Sequence, residues 1–270
     1  MHQSIRAPAV SGQFYPADAD QLNEQIRTYL DQANVQSTVN PPRIKAVIVP
    51  HAGYIYSGPV AATAYRALQD QADQIERVVL LGPSHRVGFR GIAMCGSDHY
   101  RTPLGDLVID RLAYHSISSI PEVVELDQAH EFEHSLEVQC PFLQSVLGDF
   151  ELVPLVVGEC EAEPVAEVID SLWGGHSTLF VISSDLSHFH SYAAAREQDR
   201  KTADAVLRLD PDAIHYDDAC GRNPMKGLLL AARKHSLVAE LVDLRNSGDT
   251  AGSHDRVVGY GAFIFSKGHV

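Results

Sequence analysis

The sequence predicts an α/β fold: a single domain with a mostly parallel or mixed central sheet and helices on both faces. Three observations carry this expectation. The apolar runs are short and β-branched, as in Ala46–Val49 and Leu179–Ser183, which suits strands buried on both faces. Amphipathic helical patterns alternate with those runs. No internal repeat, low-complexity tract or linker-like stretch divides the chain, so residues 1–270 read as one unit.

The elements follow in chain order. Ala17–Ala33 opens among Asp residues and repeats Leu22, Ile26 and Leu30 every four positions, an amphipathic helix. Ile44–Val49 is the first strand. Pro59–Gln71 is alanine-rich, with Pro59 at the first helical position, where a missing N–H costs nothing. Arg77–Leu81 and Gly91–Met94 are strands, followed by a helical pattern over Glu133–Leu147. Strand Phe150–Val156, helix Pro164–Leu172 and strand Thr178–Ser183 continue the alternation. Helices Ala193–Leu209 and Pro224–Lys234 precede two closing strands, Ala239–Leu244 and Val258–Phe265.

Composition narrows the function. Apolar residues make up 45% and charged residues 21%, ample for a core. Twenty-one basic against 35 acidic residues give a formal charge of -14, and no Lys/Arg cluster stands out. Such a chain repels a polyanion, so nucleic acid is not an expected partner. The N-terminal stretch MHQSIRAPAVSGQFYP has no apolar core, and no later run approaches a membrane span. A cytoplasmic protein without membrane attachment is expected. Cys95, Cys140, Cys160 and Cys220 are far apart with no CxxC pair, so reduced thiols are expected rather than a disulfide framework or zinc knuckle.

Histidines fall where an α/β sheet places ligands. Strand residues 46–49 run through Pro50 into His51, and Val78–Ser84 ends at His85. Leu179–Ser184 leads into Asp185 and His188. Ligands bind beyond the carboxyl ends of such strands. Neutral imidazoles suit iron, zinc or copper, and two His with one carboxylate is the usual facial set for non-haem iron. Asp249, in the loop Asn246–Gly252, is the carboxylate best placed by position, and Asp185 competes. Asp185 and His188 are three apart; in a helical turn they would share a face, the Asp orienting an acid/base His. The competing reading makes Ser184 or Asp185 a helix cap. Tyr54 and Tyr56 alternate, so one can line a pocket while the other packs.

Other motifs are weaker. His130–His134 spells HEFEH and matches the zinc-hydrolase pattern H-E-x-x-H, but helical periodicity starts only at Leu136 and Pro141 interrupts it. There is no G-x-S-x-G elbow and no strand–GxGxxG–helix unit, so neither a serine hydrolase nor a nucleotide cofactor is indicated.

Taken together, the motifs resemble the Memo family, the B component of the AmmeMemoRadiSam system. The resemblance runs nearly end to end: RAPAVSGQFYPAD (Arg6–Asp18), VPHAGYIYSGPVAATAY (Val49–Tyr65), LLGPSHR (Leu80–Arg86), TPLG (Thr102–Gly105), EHSLEVQCPFLQ (Glu133–Gln144), ISSDLSHF (Ile182–Phe189), CGRNP (Cys220–Pro224), NSGDTAG (Asn246–Gly252) and VVGYGAF (Val257–Phe263). It implies a fold like that of the class III extradiol dioxygenases and a non-haem Fe(II) site, with copper or zinc as alternatives. His51 and His85 would be metal ligands and Asp185 and His188 the pocket pair. Eukaryotic members are similar but place a cysteine near the position of Asp249, which leaves the third ligand open. Phe14 and Tyr56 are similar to aromatics around the family pocket, and His134 and Glu137 would support it from a second shell. The implied activity is metal-dependent oxidation of a small molecule. The alternatives are a non-catalytic adaptor for radical-SAM and AMMECR-type proteins, and zinc hydrolysis at HEFEH.

Overall fold

The computed structural model describes residues 3–34 and 43–267. In chain order the elements are β1 (Ile5–Arg6), α1 (Ala19–Gln32), β2 (Ile44–Val49), α2 (Tyr54–Ala67), β3 (Arg77–Pro83), β4 (Ile92–Met94), β5 (His99–Thr102) and β6 (Gly105–Val108). Then come α3 (Arg111–Ile117), β7 (Val123–Glu125), α4 (Asp127–Glu131), α5 (Cys140–Val146), β8 (Glu151–Val157), α6 (Ala162–Ser171) and β9 (Thr178–Ser183). The chain closes with β10 (His188–His190), α7 (Tyr192–Leu207), α8 (Arg222–Lys234), β11 (Leu237–Asn246) and β12 (Val257–Lys267).

The α/β expectation holds, and the sheet is mixed. Strands β2, β9, β3 and β8 lie side by side and parallel. On one flank β4 runs antiparallel to β8 and carries β7. On the other, β12 runs antiparallel to β2 and carries β11 on its far side. Short β10 pairs with Val257 and Val258 of β12. A separate three-stranded sheet, β1-β5-β6, sits apart. The parallel strands are buried almost throughout, as their apolar runs require. Among the described residues no helix is long and apolar enough to cross a membrane.

Two helix expectations are corrected. Helix α2 starts at Tyr54, not Pro59, so the proline lies inside it. Tyr54 N–H donates to Phe14 O at 2.7 Å, so the N-terminal segment satisfies one of the helix's first donors. Gly58 lets α1 approach, because a Cβ there would sit 2.6 Å from Tyr29 Cε2. The stretch Glu133–Leu147 is not one helix: α5 covers Cys140–Val146, preceded by a 3₁₀ turn at Glu137–Gln139. The Glu133 carboxylate accepts the backbone N–H groups of His134 and Ser135 at 3.0 and 2.9 Å, wrapping the chain around itself instead of into a helix.

Candidate metal centre

Beyond the carboxyl ends of the parallel strands, His51 follows β2 and His85 follows β3, with β9 between them. His134 reaches the same point from the turn between α4 and α5. One ligand nitrogen from each of the three lies within 4.8 Å of the others, so the group could hold a metal ion. The ring centroids are 5.1 Å apart for His51–His85, 5.3 Å for His51–His134 and 4.5 Å for His85–His134. His51 is buried and His134 half-buried, while the His85 side chain is 28% exposed and opens the group to solvent.

Hydrogen bonds fix two of the imidazoles. Ser183 Oγ gives its single proton to Ser135 O at 2.6 Å and receives Gln139 Nε2 at 2.8 Å. It must therefore accept the proton of His51 Nδ1, 2.9 Å away, which leaves His51 Nε2 with its lone pair. Gln139 is itself held, donating to Pro50 O and accepting from Tyr65 Oη at 2.9 Å. Glu133 Oε1 accepts from His85 Nδ1 at 2.8 Å and Oε2 from the His85 backbone N–H at 2.5 Å, leaving His85 Nε2 free. Burial would push the Glu133 carboxyl up, but His85 and the surrounding donors outweigh it and bring it down to about 2. The carboxylate is therefore ionised at neutral pH.

The donor set fits a metal. Burial, then the neighbouring His85, lowers the His51 pKa well below the ordinary imidazole value. Burial and His51 lower that of His134 to about 3. Both are neutral with lone pairs available. His134 Nδ1 is buried without a hydrogen-bond partner, 3.3 Å from Glu133 Oε1 but not aligned with it. A buried orphan nitrogen in a group of three converging imidazoles is a pattern that fits a cation. Cys220 joins the group: its Sγ lies 3.3 Å from His51 Nε2. Burial raises its pKa.

Several expected site residues stand elsewhere. Asp249 accepts Tyr192 Oη at 2.5 Å and Asn246 N–H at 2.9 Å in a reciprocal cap after β11. Strand β12 separates β11 from β2; Asp249 caps its own turn after β11, and His134 takes the third corner of the imidazole group. Glu137 does not touch the histidine group. It binds Arg6, the N–H groups of Ala9 and Val10 at 2.7 and 3.0 Å, and Tyr15 Oη at 2.6 Å, pinning the N-terminal segment. The carboxylate behind the imidazoles is Glu133. Tyr54 is buried and donates to Val138 O at 2.8 Å, so it packs rather than lining a pocket. Tyr56 is 36% exposed, and the Phe14 ring lies 4.7 Å from His134.

Asp185 accepts the His51 backbone N–H at 2.7 Å, and burial pushes its carboxyl up against the pull of His188. The pair does not share a helical face: residues 184–187 are irregular and His188 lies in β10. HEFEH is no zinc helix either. Helix α4 ends at Glu131, and His130 Nε2 turns to Ala93 O at 3.0 Å, away from His134.

Sequence reasoning left Glu133, Ser183, Gln139 and Cys220 without a role. Their signal was faint: polar residues inside segments that the apolar pattern marks as buried. Cys220 stood in a quoted motif, but nothing local ties it to His51, 169 positions away.

The comparisons with known proteins point to one family. The family model described as Memo-like protein matches residues 6–264. A MEMO1 family protein of Methanosarcina barkeri is 36% identical, over 96% of this chain and 99% of its own. One from Ignicoccus hospitalis is 37% identical over 97% and 98% of the two chains. One from Aquifex aeolicus is 35% identical over 97% and 99%. Among solved structures, an uncharacterized protein from Escherichia coli is similar in fold, with TM-score 0.50 and 14% identity over 80% of this chain and 99% of that one.

Proposed function

Because the chain belongs to the Memo family, we propose that it is a non-haem metalloprotein whose His51, His85 and His134 hold Fe(II) beside a pocket that oxidises a small molecule. The observation that supports this most is the convergence of three imidazoles, two with their outer protons already committed to Ser183 and Glu133. Three imidazole nitrogens with one open side leave coordination positions for a substrate. Copper and zinc accept the same donors; iron is favoured by the likeness to the extradiol dioxygenases. Fe(II), when bound, would supply one-electron redox chemistry at the open face.

The chain's own residues set the rest. Glu133 holds the His85 Nδ1 proton and keeps an anion behind the three imidazoles. Ser183 fixes the His51 tautomer, and Asp185 fixes its backbone. Phe14 covers one side of His134 and excludes water there. His188, half-buried in β10, is the group placed to exchange a proton with a bound substrate.

The test is reconstitution of metal-free protein with Fe(II), Cu(II) or Zn(II) without air, followed by oxygen uptake with a catechol probe. Uptake with iron alone, lost in His51→Ala, is expected. Uptake unchanged in His51→Ala, or absent with every metal across a panel of catechols, overturns the reading.

A further inference from the structure

A second recess begins behind the histidine group. Cys220, 3.3 Å from His51 Nε2, lines a small cavity of about 90 Å³ together with Ser84 and the start of α8. That cavity shares Glu159, Arg222 and Asn223 with a cleft of about 920 Å³ between α6, α8 and the loop after β8. The two are therefore neighbours, and Arg222 lines both.

The segment between the thiol and the guanidinium is rigid. Gly221 N–H donates to Ser184 Oγ at 2.9 Å, and a Cβ on Gly221 would sit 2.6 Å from Ser184 Cβ. Asn223 Nδ2 donates to Gly158 O at 2.9 Å. The Arg222 guanidinium stacks 4.2 Å from the Tyr216 ring, and its side chain is only 17% exposed. Its partner is Glu159, a side chain 73% exposed whose two oxygens sit at 3.2 and 3.5 Å. These are loose contacts for an Arg–carboxylate fork, which is tight when the pair is committed. A shielded cation is thus covered by a solvent-exposed carboxylate, a partner that another anion can displace. Arg90 and Lys226 line the same cleft and form no ion pair among the described residues.

We propose that Arg222 anchors the carboxylate or phosphate of the small molecule acted on at the histidine group, with Glu159 occupying that position until the ligand arrives. The cleft also carries Glu122, Glu161 and Glu163, so a ligand with one anionic end fits and a polyanion does not. That the anchored molecule is acted on at the histidine group rests on the metalloprotein reading. The anion site itself does not depend on it.

The test uses the metal-free protein, so that it is independent of the metal reading. Binding of 4-hydroxybenzoate, phenyl phosphate and phenol is followed by calorimetry or ligand-observed NMR. The charged probes should bind and phenol should not; the tighter of the two identifies carboxylate or phosphate as the recognised group. Arg222→Gln should weaken that binding about tenfold, as loss of a charge-assisted fork does. Glu159→Gln should tighten it about two- to fivefold, because the internal competitor is gone. A structural role for Arg222 would not produce that gain. Equal binding in Arg222→Gln, no gain in Glu159→Gln, or phenol binding as well as the anions would each overturn the proposal.

Discussion

Glu133 holds His85 twice, through Oε1 to the ring Nδ1 at 2.8 Å and through Oε2 to the backbone N–H at 2.5 Å. The ring is thereby fixed in one tautomer and one orientation, with its Nε2 left as the ligand nitrogen. Glu133→Gln keeps the shape but removes the charge and the second acceptor oxygen. Metal affinity should fall about 10–100-fold, as loss of such an outer carboxylate does. Chelator competition measures it, and unchanged affinity would remove Glu133 from the account.

Ser183→Ala should separate tautomer control from the ligands themselves. Its hydroxyl is the acceptor for both His51 Nδ1 and Gln139 Nε2, all three groups buried. Leaving these donors unpaired should cost about 1–3 kcal/mol of stability. Urea unfolding of the metal-free variant reads that loss, while metal at saturating concentration should still bind.

Glu137→Gln should loosen the N-terminal segment without altering the ligand set. Arg6 and Glu137 are both buried, and breaking such a pair costs about 3–5 kcal/mol because the remaining charge is stranded. Hydrogen exchange should rise over residues 6–15, the segment that delivers Phe14 to His134. Protection equal to the wild type would contradict the anchoring role.

Asp199 gives a pH signature. Burial raises its carboxyl to about 6, although it accepts Ser187 N–H at 3.0 Å. The unfolded value is about 4, so the folded chain binds the extra proton. Its contribution is full below about pH 4 and is lost as pH rises through about 6, at most about 3 kcal/mol. Asp199→Asn, which can still accept from Ser187, should therefore gain stability relative to wild type between pH 4 and 7. A difference that does not vary with pH would contradict it.

The parts of the fold legible in sequence were those with a dense apolar signal. Strands Ile44–Val49 and Thr178–Ser183 match their expected limits because every face they present is buried. Strands β1, β5, β6, β7 and β10 have two to four residues and mixed burial, too short for a period to register. The start of α2 was hidden because its first donor is taken by Phe14 O, a contact between distant segments. His51 and His85 were visible as strand-end residues. His134 was expected only as a supporting residue of the pocket, on the resemblance, since it lies in a turn organised by Glu133 and its position in HEFEH pointed toward a different motif. Asp249 was drawn in by its position after a strand; position along the chain does not reveal that β12 intervenes between β11 and β2.

The central claim is that the metal site is made of His51, His85 and His134, with Asp249 outside it. Metal content of protein prepared without air, in wild type, His134→Ala and Asp249→Ala, tests this most directly. The account predicts close to one ion per chain in wild type and Asp249→Ala, and loss in His134→Ala. Metal retained in His134→Ala and lost in Asp249→Ala would contradict it.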